Sequence, residues 1–406
     1  MSRLGTAVEL CCGMGGIGIG LRELGYEVVR AYDSWKQAVD VYNFNHGDVA
    51  VVQDLMLESS LSRALSDKRH LGDIDVLAAG PPCKGFSQLK NGRHDGRRRD
   101  NRLNNQVLFA IPDYVAIFRP RRFVVENVPA LAIHRNGRTL KELLLALTSP
   151  ANGLTYRTAV RIYDAAQFGT PQTRRRLLVM GIRHGDSGDF NVPDNSPDLS
   201  SFYAALRRNR SIHPRFSDIS KRFMDDDDLD FVTAAQALSD LPRLGPGEIE
   251  MRRRYESEPR TAYQCWARSG APVTITGTQT PGIVSRTLAR LSHVSPGGCA
   301  RDIPRDSLDG LVRRFDSAYR RLHPRAPSTA LSTKYDCVYH YDFMRALSLR
   351  EYARLQGIPD RIHFPSEIVC RRGAYEMIGN SVPPLLVEAA LSRFLGRERL
   401  AARVAA

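Results

Sequence analysis

Several features that would place this chain in a specialised class are missing from it. No apolar run reaches the roughly 18 residues that a membrane-spanning helix needs, and residues 1–5 have neither the basic nor the apolar region of a signal peptide. The 7 cysteines are odd in number and none lies in a C-x-x-C pair, which argues against a paired zinc motif or a simple disulfide framework. No internal repeat is visible. We therefore expect a protein with free thiols and no membrane contact that stays in the cytoplasm.

What the chain has in excess is positive charge. Its 58 lysines and arginines outnumber its 44 acidic residues and give a formal net charge of +14. A basic surface favours a polyanionic partner, because binding to DNA or RNA releases condensed counterions. The 406 residues suffice for two domains, and the hydrophobic fraction of 42% is normal for a folded core. These numbers favour a nucleic-acid partner, although a generic basic protein remains an alternative at this point.

The first third of the chain alternates strand-like and helix-like segments. Short apolar runs over residues 7–12, 27–32, 50–54, 75–79 and 122–125 predict strands, and helical spacing appears over 17–24 and 35–45. This rhythm is typical of a mostly parallel sheet with helices on both faces. Ligands of such sheets bind at the carboxyl ends of the strands. The residues at those ends are Gly13, Asp33, Asp54, Cys83 and Glu126.

The alternation fails from about residue 186. Residues 186–335 are rich in Arg, Pro, Gly and Asp, yet they carry scattered aromatic and aliphatic side chains, which favours an irregular second domain over a disordered insertion. The acidic run 225–228 is interpreted as a solvated loop. Regular patterns return near the end, where Ser348 and Glu351 predict a capped helix over 348–356 and apolar spacing predicts another over 382–394.

A glycine-rich turn follows the first predicted strand. Gly13, Gly15 and Gly18 match a dinucleotide-type fingerprint, and Asp33 lies twenty residues beyond Gly13. Glycines let the backbone approach a cofactor closely, and an acid after the second strand can accept hydrogen bonds from ribose hydroxyls. Asp54, after the third strand, could accept from an adenine amino group. By itself this pattern fits any adenosine-bearing cofactor, including the nicotinamide cofactor of an oxidoreductase.

The cysteine after the fourth strand distinguishes between these options. A lone cysteine is usually an inert buried thiol, but Cys83 follows a turn that Pro81 and Pro82 stiffen. Lys84 and the arginines of residues 174–176 would favour the nucleophilic thiolate if they approach it. A dehydrogenase needs no such thiol.

A carboxyl group and two arginines complete the set. Glu126 ends the fifth predicted strand, and alternation along a strand through Gln172 would place Arg174 and Arg176 on one face. Carbon 5 of cytosine is a poor nucleophile until a thiolate adds at carbon 6. A carboxyl group at ring nitrogen N3 and an arginine at the exocyclic oxygen would help the ring to accept the developing charge.

In this order and at these distances, the motifs resemble those of the DNA cytosine-5 methyltransferases of bacterial and phage restriction–modification systems. The resemblance implies a Rossmann-like, S-adenosylmethionine-dependent methyltransferase fold with a mostly parallel sheet, plus a smaller irregular target-recognition domain. It implies catalytic roles for Cys83, Glu126, Arg174 and Arg176. The residues that it implies for binding S-adenosylmethionine are Cys11, Gly13, Gly15, Gly16, Asp33, Ser34, Asp54, Leu55, Pro82, Asn380, Ser381 and Val382.

The chain departs from the family pattern at two of these positions. A phenylalanine usually stands where Cys11 does, and a bulky residue that lies on the adenine often stands at Ser34. Trp35, one position later, is a candidate substitute for that bulky residue. The resemblance also implies that the basic loop 85–102 is a lid that closes over DNA.

The domain boundaries expected from the resemblance are 1–185 for the catalytic domain, completed by 374–406, and 186–373 for target recognition. The expected activity is methyl transfer from S-adenosylmethionine to carbon 5 of a flipped-out cytosine in a specific duplex DNA sequence, through an adduct of Cys83 at carbon 6. The expected partners are double-stranded DNA and a restriction endonuclease that acts separately. We expect a monomer associated with the nucleoid.

Three other functions remain possible from the sequence. The first is an RNA cytosine-5 methyltransferase, although the Cys-Phe-Thr signature of the transfer-RNA-directed branch is missing. The second is a catalytically silent protein that binds a DNA sequence, and the intact Cys83, Glu126 and arginine set argues against it. The third is a nicotinamide-dependent oxidoreductase, which only the glycine turn supports.

Overall fold

The computed structural model describes residues 4–83, 98–186, 231–307 and 318–394. Their backbone contacts divide them into two units. The described residues within 1–164, 175–215 and 386–406 form the first unit, and those within 165–174 and 216–385 form the second. The sequence-based boundaries, 1–185 with 374–406 against 186–373, stay a prediction; in this grouping residues 165–174 and 374–385 belong to the second unit.

The first unit is built on one large sheet. The strands in the first part of the chain are β1 (Gly5–Leu10), β2 (Tyr26–Asp33), β3 (Ala50–Val52), β4 (Val76–Ala79), β5 (Arg122–Asn127), β6 (Tyr156–Asp164), β7 (Gln172–Thr173) and β8 (Arg175–Arg183). Within the described residues the sheet has seven strands in the order β3-β2-β1-β4-β5-β8-β6. The pairs from β3 to β5 are parallel, and β8 runs antiparallel to both β5 and β6. This confirms the predicted mostly parallel sheet.

Helices cover this sheet and bury its strands. They are α1 (Gly16–Glu23), α2 (Lys36–His46), α3 (Glu58–Leu71), α4 (Arg98–Phe118) and α5 (Arg138–Thr148). All four residues of β4 are buried, as expected for a central parallel strand with neighbours on both sides. Phe123 packs edge-on against Tyr156 with ring centroids 5.1 Å apart. A side chain at Gly181 would overlap the Phe123 ring, so the small residue there keeps β5 and β8 paired.

The second unit is less regular but has a buried interior. Its further elements are α6 (Ala234–Leu238), β9 (Arg252–Arg254), α7 (Ala262–Arg268), β10 (Thr274–Thr276), α8 (Ser285–Leu291), β11 (Arg320–Arg321), β12 (Ser328–Thr329), β13 (Val338–Tyr339), α9 (Leu349–Leu355), α10 (Arg371–Asn380) and the start of α11 (Pro384–Phe394). The predicted capped helix is confirmed as α9: Ser348 Oγ accepts from Glu351 N at 3.2 Å, and a Glu351 carboxylate oxygen accepts from Ser348 N at 2.7 Å.

Buried arginine–carboxylate pairs hold this unit together. Arg345 donates to both carboxylate oxygens of Glu351 at 2.8 Å, and although burial raises the pKa of Glu351, this guanidinium brings it down to about 2. Arg354 binds Asp240 at 3.0 Å and Asp360 at 2.6 Å with all three side chains fully buried. Removing one member of such a group would leave an uncompensated charge, so these pairs fix the local fold.

Some sequence features fall outside the described residues. They include the acidic run 225–228, Lys84 and residues 85–97 of the predicted lid, whereas residues 98–102 begin α4. Within the described ranges, no helix is both long and apolar enough to cross a bilayer.

Candidate active site

The glycine turn after β1 adopts a backbone that few side chains tolerate. Cys11, Gly13 and Gly15 all have positive φ, at 53°, 53° and 97°. Nothing lies within 4 Å of where a side chain at Gly13 would begin, whereas at Gly15 it would meet the ring of Tyr42 at 2.9 Å. Gly13 is therefore required for its conformation and leaves open space above the turn, while Gly15 lets the turn pack closely on α2. Gly16 follows as the first residue of α1.

Asp33 connects this turn to the end of β2. One carboxylate oxygen accepts from Gly13 N and the other from Trp35 N, both at 2.8 Å. Burial raises the pKa of Asp33, and the two backbone N–H donors oppose that rise. The carboxylate therefore fixes the shape of the glycine turn, and Asp33 is also one of the residues that line the adjoining cavity.

A cavity of about 240 Å³ opens beside Asp33. Six of the predicted cofactor residues line it: Cys11, Asp33, Ser34, Asp54, Leu55 and Pro82. Gln53, Met56 and Val107 line it as well and were not predicted. Gln53 and Met56 flank Asp54 and Leu55 in the chain. Their position next to two predicted cofactor residues could therefore have indicated that they line the cavity. Val107 belongs to α4, and no local motif indicates it.

The proposed substitution of Trp35 for a bulky residue at Ser34 finds no support in this cavity. Ser34 is among the lining residues and Trp35 is not. The Trp35 indole N–H instead donates to the side chain of Gln37 at 3.3 Å. The apolar side chains that line the cavity are those of Leu55, Met56, Pro82 and Val107.

Cys83 comes shortly after β4, and Glu126 lies near the end of the neighbouring parallel strand β5. Ala79 of β4 lies opposite Val125 of β5, so the chain segments that carry the two residues leave the sheet at the same edge. Asn127 Nδ2 donates to Pro81 O at 3.4 Å and ties the proline turn to the end of β5. Cys83 is half-buried, and its neighbour Pro82 lines the cavity. The structure thus brings the thiol's turn, the carboxyl strand and the cavity to one edge of the sheet.

Glu126 is ion-paired with the second predicted arginine. Arg176 Nε lies 2.6 Å from Glu126 Oε1, and only 7% of Glu126 is exposed. Glu126 is opposite Leu178 on β8, and Arg176 is two residues from Leu178, so the strand period places both charged groups on one face. Arg176 Nη1 also donates to Arg175 O at 2.8 Å, which orients the guanidinium.

Arg174 does not share that strand, and the prediction of one continuous strand through Gln172, Arg174 and Arg176 is wrong. β7 ends at Thr173 and β8 begins at Arg175, so Arg174 lies in the break and belongs to the second unit. Its guanidinium donates to Leu331 O at 3.0 Å and to Gly379 O at 2.6 Å. The alternation argument fails because β7 pairs with β12 of the second unit, whereas β8 pairs with β5 and β6.

The last three predicted cofactor residues follow Gly379 in the second unit. Asn380 is exposed at the end of α10, and Ser381 and Val382 are buried. Ser381 Oγ donates to Val382 O at 3.2 Å, and Ser381 O accepts from the side chain of Gln356. Arg174 and Gln356 therefore both hold this segment by its backbone carbonyls.

A buried acid lies beneath the glycine turn. Glu9 is fully buried on β1, Tyr42 Oη donates to it at 3.0 Å, and Arg22 donates to Tyr42 Oη at 3.1 Å. A side chain at Gly18 would begin 2.5 Å from the Glu9 carboxylate, so α1 lies directly against it. Burial raises the pKa of Glu9 to about 7.

We expect Glu9→Gln to stabilise the protein at pH 8 but not at pH 5. The native state retains the Glu9 proton up to about pH 7, whereas the unfolded chain loses it near the ordinary value of 4.5. The stability that this proton confers is complete below pH 4.5 and is lost as the pH rises through 7. A neutral amide avoids that loss, so the gain at pH 8 should be on the order of 2 kcal/mol.

Thermal unfolding at pH 5 and pH 8 measures this effect, with Glu142→Gln, an exposed residue of α5, as the control. An equal change at both pH values would contradict a titrating Glu9.

Solved structures that share this fold are methyltransferases. A prophage-encoded protein of E. coli, assigned as a DNA modification methyltransferase, superposes with a TM-score of 0.67 at 20% identity over 96% of this chain and 99% of its own. The Dnmt2 methyltransferase of S. pombe gives a TM-score of 0.55 at 16% identity over 98% and 99% of the two chains. The fold is therefore the Rossmann-like fold of the S-adenosylmethionine-dependent methyltransferases.

The sequence specifies the class further. The family model for C-5 cytosine-specific DNA methylases matches residues 5–395, and the chain belongs to this family as a DNA (cytosine-5) methyltransferase. The Type II methyltransferase M1.HphI of Haemophilus parahaemolyticus is 26% identical over 95% of this chain and 85% of its own. M.AgeI of Thalassovita gelatinovora is 27% identical over 93% and 96% of the two chains.

Proposed function

We propose that the protein transfers the methyl group of S-adenosylmethionine to carbon 5 of a flipped-out cytosine in a specific duplex DNA sequence, through an adduct of Cys83 at carbon 6. The observation that carries this proposal is the ion pair between Glu126 and Arg176 at the same sheet edge as the Cys83 turn. A thiol, an acid and a guanidinium arranged there meet the chemical needs of an otherwise inert carbon 5.

The lining of the cavity in the first unit supports this proposal, because its hydrogen-bond acceptors and apolar side chains suit S-adenosylmethionine. The carboxylates of Asp33 and Asp54 can accept hydrogen bonds from ribose hydroxyls and from the adenine amino group, and Leu55, Pro82 and Val107 can cover the purine. Bound there, the cofactor supplies an electrophilic methyl group. The open space above Gly13 would hold the part of S-adenosylmethionine that is nearest to the glycine turn. We propose that Cys11, Gly15, Gly16 and Ser34 complete this site from the same turn and cavity wall.

Cys83 starts the reaction and also ends it. Its thiolate adds to carbon 6 of cytosine, and the electron pair of the 5,6 double bond becomes available at carbon 5. In the form that donates, Glu126 has taken up a proton from solvent; it gives that proton to N3, which prevents charge from accumulating on the ring, and is left as the carboxylate paired with Arg176. After carbon 5 has accepted the methyl group and lost its own proton to a base, the bond from carbon 6 to sulfur breaks. The thiolate is then regenerated, and N3 returns its proton.

The two arginines are proposed to act in different ways. Arg176 is held at 2.6 Å from Glu126 and can direct that acid at N3 while its remaining N–H groups meet the exocyclic oxygen. We propose that Arg174 contributes to catalysis by positioning, because its guanidinium binds the carbonyls of Leu331 and Gly379. The segment so held continues into Asn380, Ser381 and Val382, which we propose as further cofactor contacts.

In this proposal the DNA binds as a duplex. A cytosine stacked inside the duplex cannot reach Cys83, so it must be flipped out, at a cost of a few kcal/mol. Residues 186–373 are proposed to read the neighbouring bases. We further propose that the enzyme acts as a monomer in the cytoplasm beside the nucleoid. A cognate restriction endonuclease would act separately at the same sequence.

We expect Asp33→Asn to weaken the binding of S-adenosylmethionine by about 10- to 100-fold, because a charged acceptor for ribose hydroxyls is lost and the hold on Gly13 N is weakened. Equilibrium dialysis of the cofactor measures the change. Asp73→Asn is the matched control, since the Asp73 side chain is 97% exposed and precedes β4, whereas Asp33 is the last residue of β2. Equal affinities for the Asp33 variant and the wild type would remove Asp33 from the cofactor site.

Methylation mapping tests the whole proposal. The protein is expressed in cells without cytosine methylation of their own, and every 5-methylcytosine of a plasmid is located by bisulfite sequencing. A single repeated motif that is fully methylated is the expected result. An unmethylated plasmid from well-folded protein would contradict the proposal and direct the search to RNA.

A further inference from the structure

Negative charge surrounds the cavity beside Asp33 in the first unit. Two of the residues that line it, Asp33 and Asp54, are acidic, and among the described residues of its lining none is basic. Burial raises the pKa of the Cys11 thiol at the cavity wall, and the charges of nearby acids, Glu9 among them, raise it further. The field of Glu9 therefore reaches the cavity, although Glu9 is fully buried on β1 and is not one of the lining residues.

Three polar groups meet beneath the glycine turn. A side chain at Gly18 of α1 would begin 2.5 Å from Glu9 Oε2 and 2.7 Å from Tyr42 Oη. Arg22 Nη1 lies 2.9 Å from the same point, and the Tyr42 ring also packs against Gly15 of the turn. The other carboxylate oxygen, Glu9 Oε1, is buried and forms no hydrogen bond with a described residue. A negative charge on Glu9 is therefore only partly compensated by its surroundings.

Both charge states of Glu9 are populated near neutral pH, because burial raises the pKa of its carboxyl group to about 7. Burial also raises the pKa values of the Tyr42 hydroxyl and of the Cys11 and Cys12 thiols well above their usual values, so these groups stay neutral. The titratable and charged groups around Glu9 are Arg22 of α1, Tyr42 and His46 of α2, Asp33 of β2, and Cys11 and Cys12 of the turn.

The methyl donor and its product differ by one charge. S-adenosylmethionine carries a positive sulfonium, and loss of the methyl group leaves the neutral thioether of S-adenosylhomocysteine. A partly compensated carboxylate in a low-dielectric interior interacts strongly with a nearby cation. We propose that the carboxylate form of Glu9 favours S-adenosylmethionine over S-adenosylhomocysteine in this cavity, which makes Glu9 a specificity-determining residue for the cofactor. This inference rests on the proposed function, because that function brings S-adenosylmethionine to the cavity.

Reciprocity gives the sign of the pH dependence. If the carboxylate form of Glu9 strengthens the binding of S-adenosylmethionine, bound S-adenosylmethionine lowers the pKa of Glu9 by the same free energy. Protonated Glu9 favours neither ligand. The preference for S-adenosylmethionine therefore grows as the pH rises toward 7, where the carboxylate forms in the free protein, and becomes constant above that pH.

The ratio of the two affinities, measured by equilibrium dialysis without DNA, tests this inference. Between about pH 5.5 and pH 7.5 the affinity for S-adenosylmethionine relative to S-adenosylhomocysteine should rise about three- to tenfold in the wild type, which corresponds to a pKa shift of up to about one unit. Glu9→Gln should lack this rise, and Glu142→Gln, at an exposed glutamate, should retain it. Asp33 is proposed to bind the ribose that both ligands share, so its titration largely cancels from the ratio. A constant ratio in the wild type, or the same rise in Glu9→Gln, would overturn the inference.

A measurement on the wild type is decisive if Glu9→Gln does not fold. Calorimetry in buffers of different ionisation enthalpy counts the protons released when a ligand binds. At about pH 6.5, S-adenosylmethionine should release roughly half a proton more per protein than S-adenosylhomocysteine, as expected when a pKa near 7 is lowered by about one unit. Equal release would overturn the inference alone. Protein that binds neither ligand would instead contradict the proposed function, and this inference with it.

Discussion

Cys83→Ala is expected to abolish methyl transfer, with a loss of more than about 10⁴-fold, while the affinity for duplex DNA stays within a few-fold of the wild type. Without the thiolate, no bond forms at carbon 6 and carbon 5 stays unreactive toward a methyl group. Alanine removes only the sulfur from a half-buried position after the proline turn, so the fold should persist. Transfer of a labelled methyl group to an oligonucleotide that carries the mapped motif measures the rate.

A trapping experiment tests the covalent step directly. DNA with 5-fluorocytosine at the target position cannot lose a proton from carbon 5, so the protein should stay bound to it through Cys83. The wild type and Cys265→Ala, a change at an exposed cysteine, should both give a complex that survives denaturation, and Cys83→Ala should give none. Methyl transfer by the Cys83 variant, or a trapped complex formed with it, would remove Cys83 from the mechanism.

Glu126→Gln is expected to slow methyl transfer by about 10²- to 10⁴-fold, the range typical of a general acid. Glutamine can still accept a hydrogen bond from Arg176 but cannot give a proton to N3. The ion pair at 2.6 Å would become a neutral hydrogen bond, so the variant should still fold. Single-turnover rates with saturating cofactor isolate this step, and Glu142→Gln, at an exposed glutamate, is the control.

The Glu126→Gln variant also distinguishes two roles of Glu126: donating a proton to N3 and orienting Arg176. If Glu126 acts only by orienting Arg176, Glu126→Gln should alter DNA affinity and rate together. If it supplies the proton, the rate falls while the affinity holds. A near-normal rate would show that N3 is activated by another group.

The sequence predicted the first unit well because the signals there are local. The strands expected over residues 27–32 and 75–79 correspond to β2 and β4, and the helix expected over 35–45 corresponds to α2. A parallel sheet then brings the carboxyl ends of its strands to one edge without further information. Asp33, Asp54 and Pro82 therefore line one cavity, as the motifs indicated.

The features that the sequence did not predict depend on contacts between residues far apart in the chain. Val107 joins the cavity from α4, and nothing in its neighbourhood marks it. Arg174 and Arg176 are two residues apart, yet β7 pairs with β12 and β8 pairs with β5, and this difference in strand partners separates their roles. A cavity of about 340 Å³ in the second unit is likewise assembled from segments near residues 297, 320 and 328, and none of them carries a recognisable motif.

The sequence by itself predicted the family and the mostly parallel sheet, and it indicated Cys83, Glu126, Arg174 and Arg176 as candidate catalytic residues, because short motifs and periodic patterns encode local backbone geometry. Only the tertiary structure decided that Arg176 is the arginine paired with Glu126 and that Arg174 binds the carbonyls of Leu331 and Gly379. The physical reason is that strand partners, and therefore the faces that side chains share, are set by packing across the whole unit rather than by neighbours in the chain.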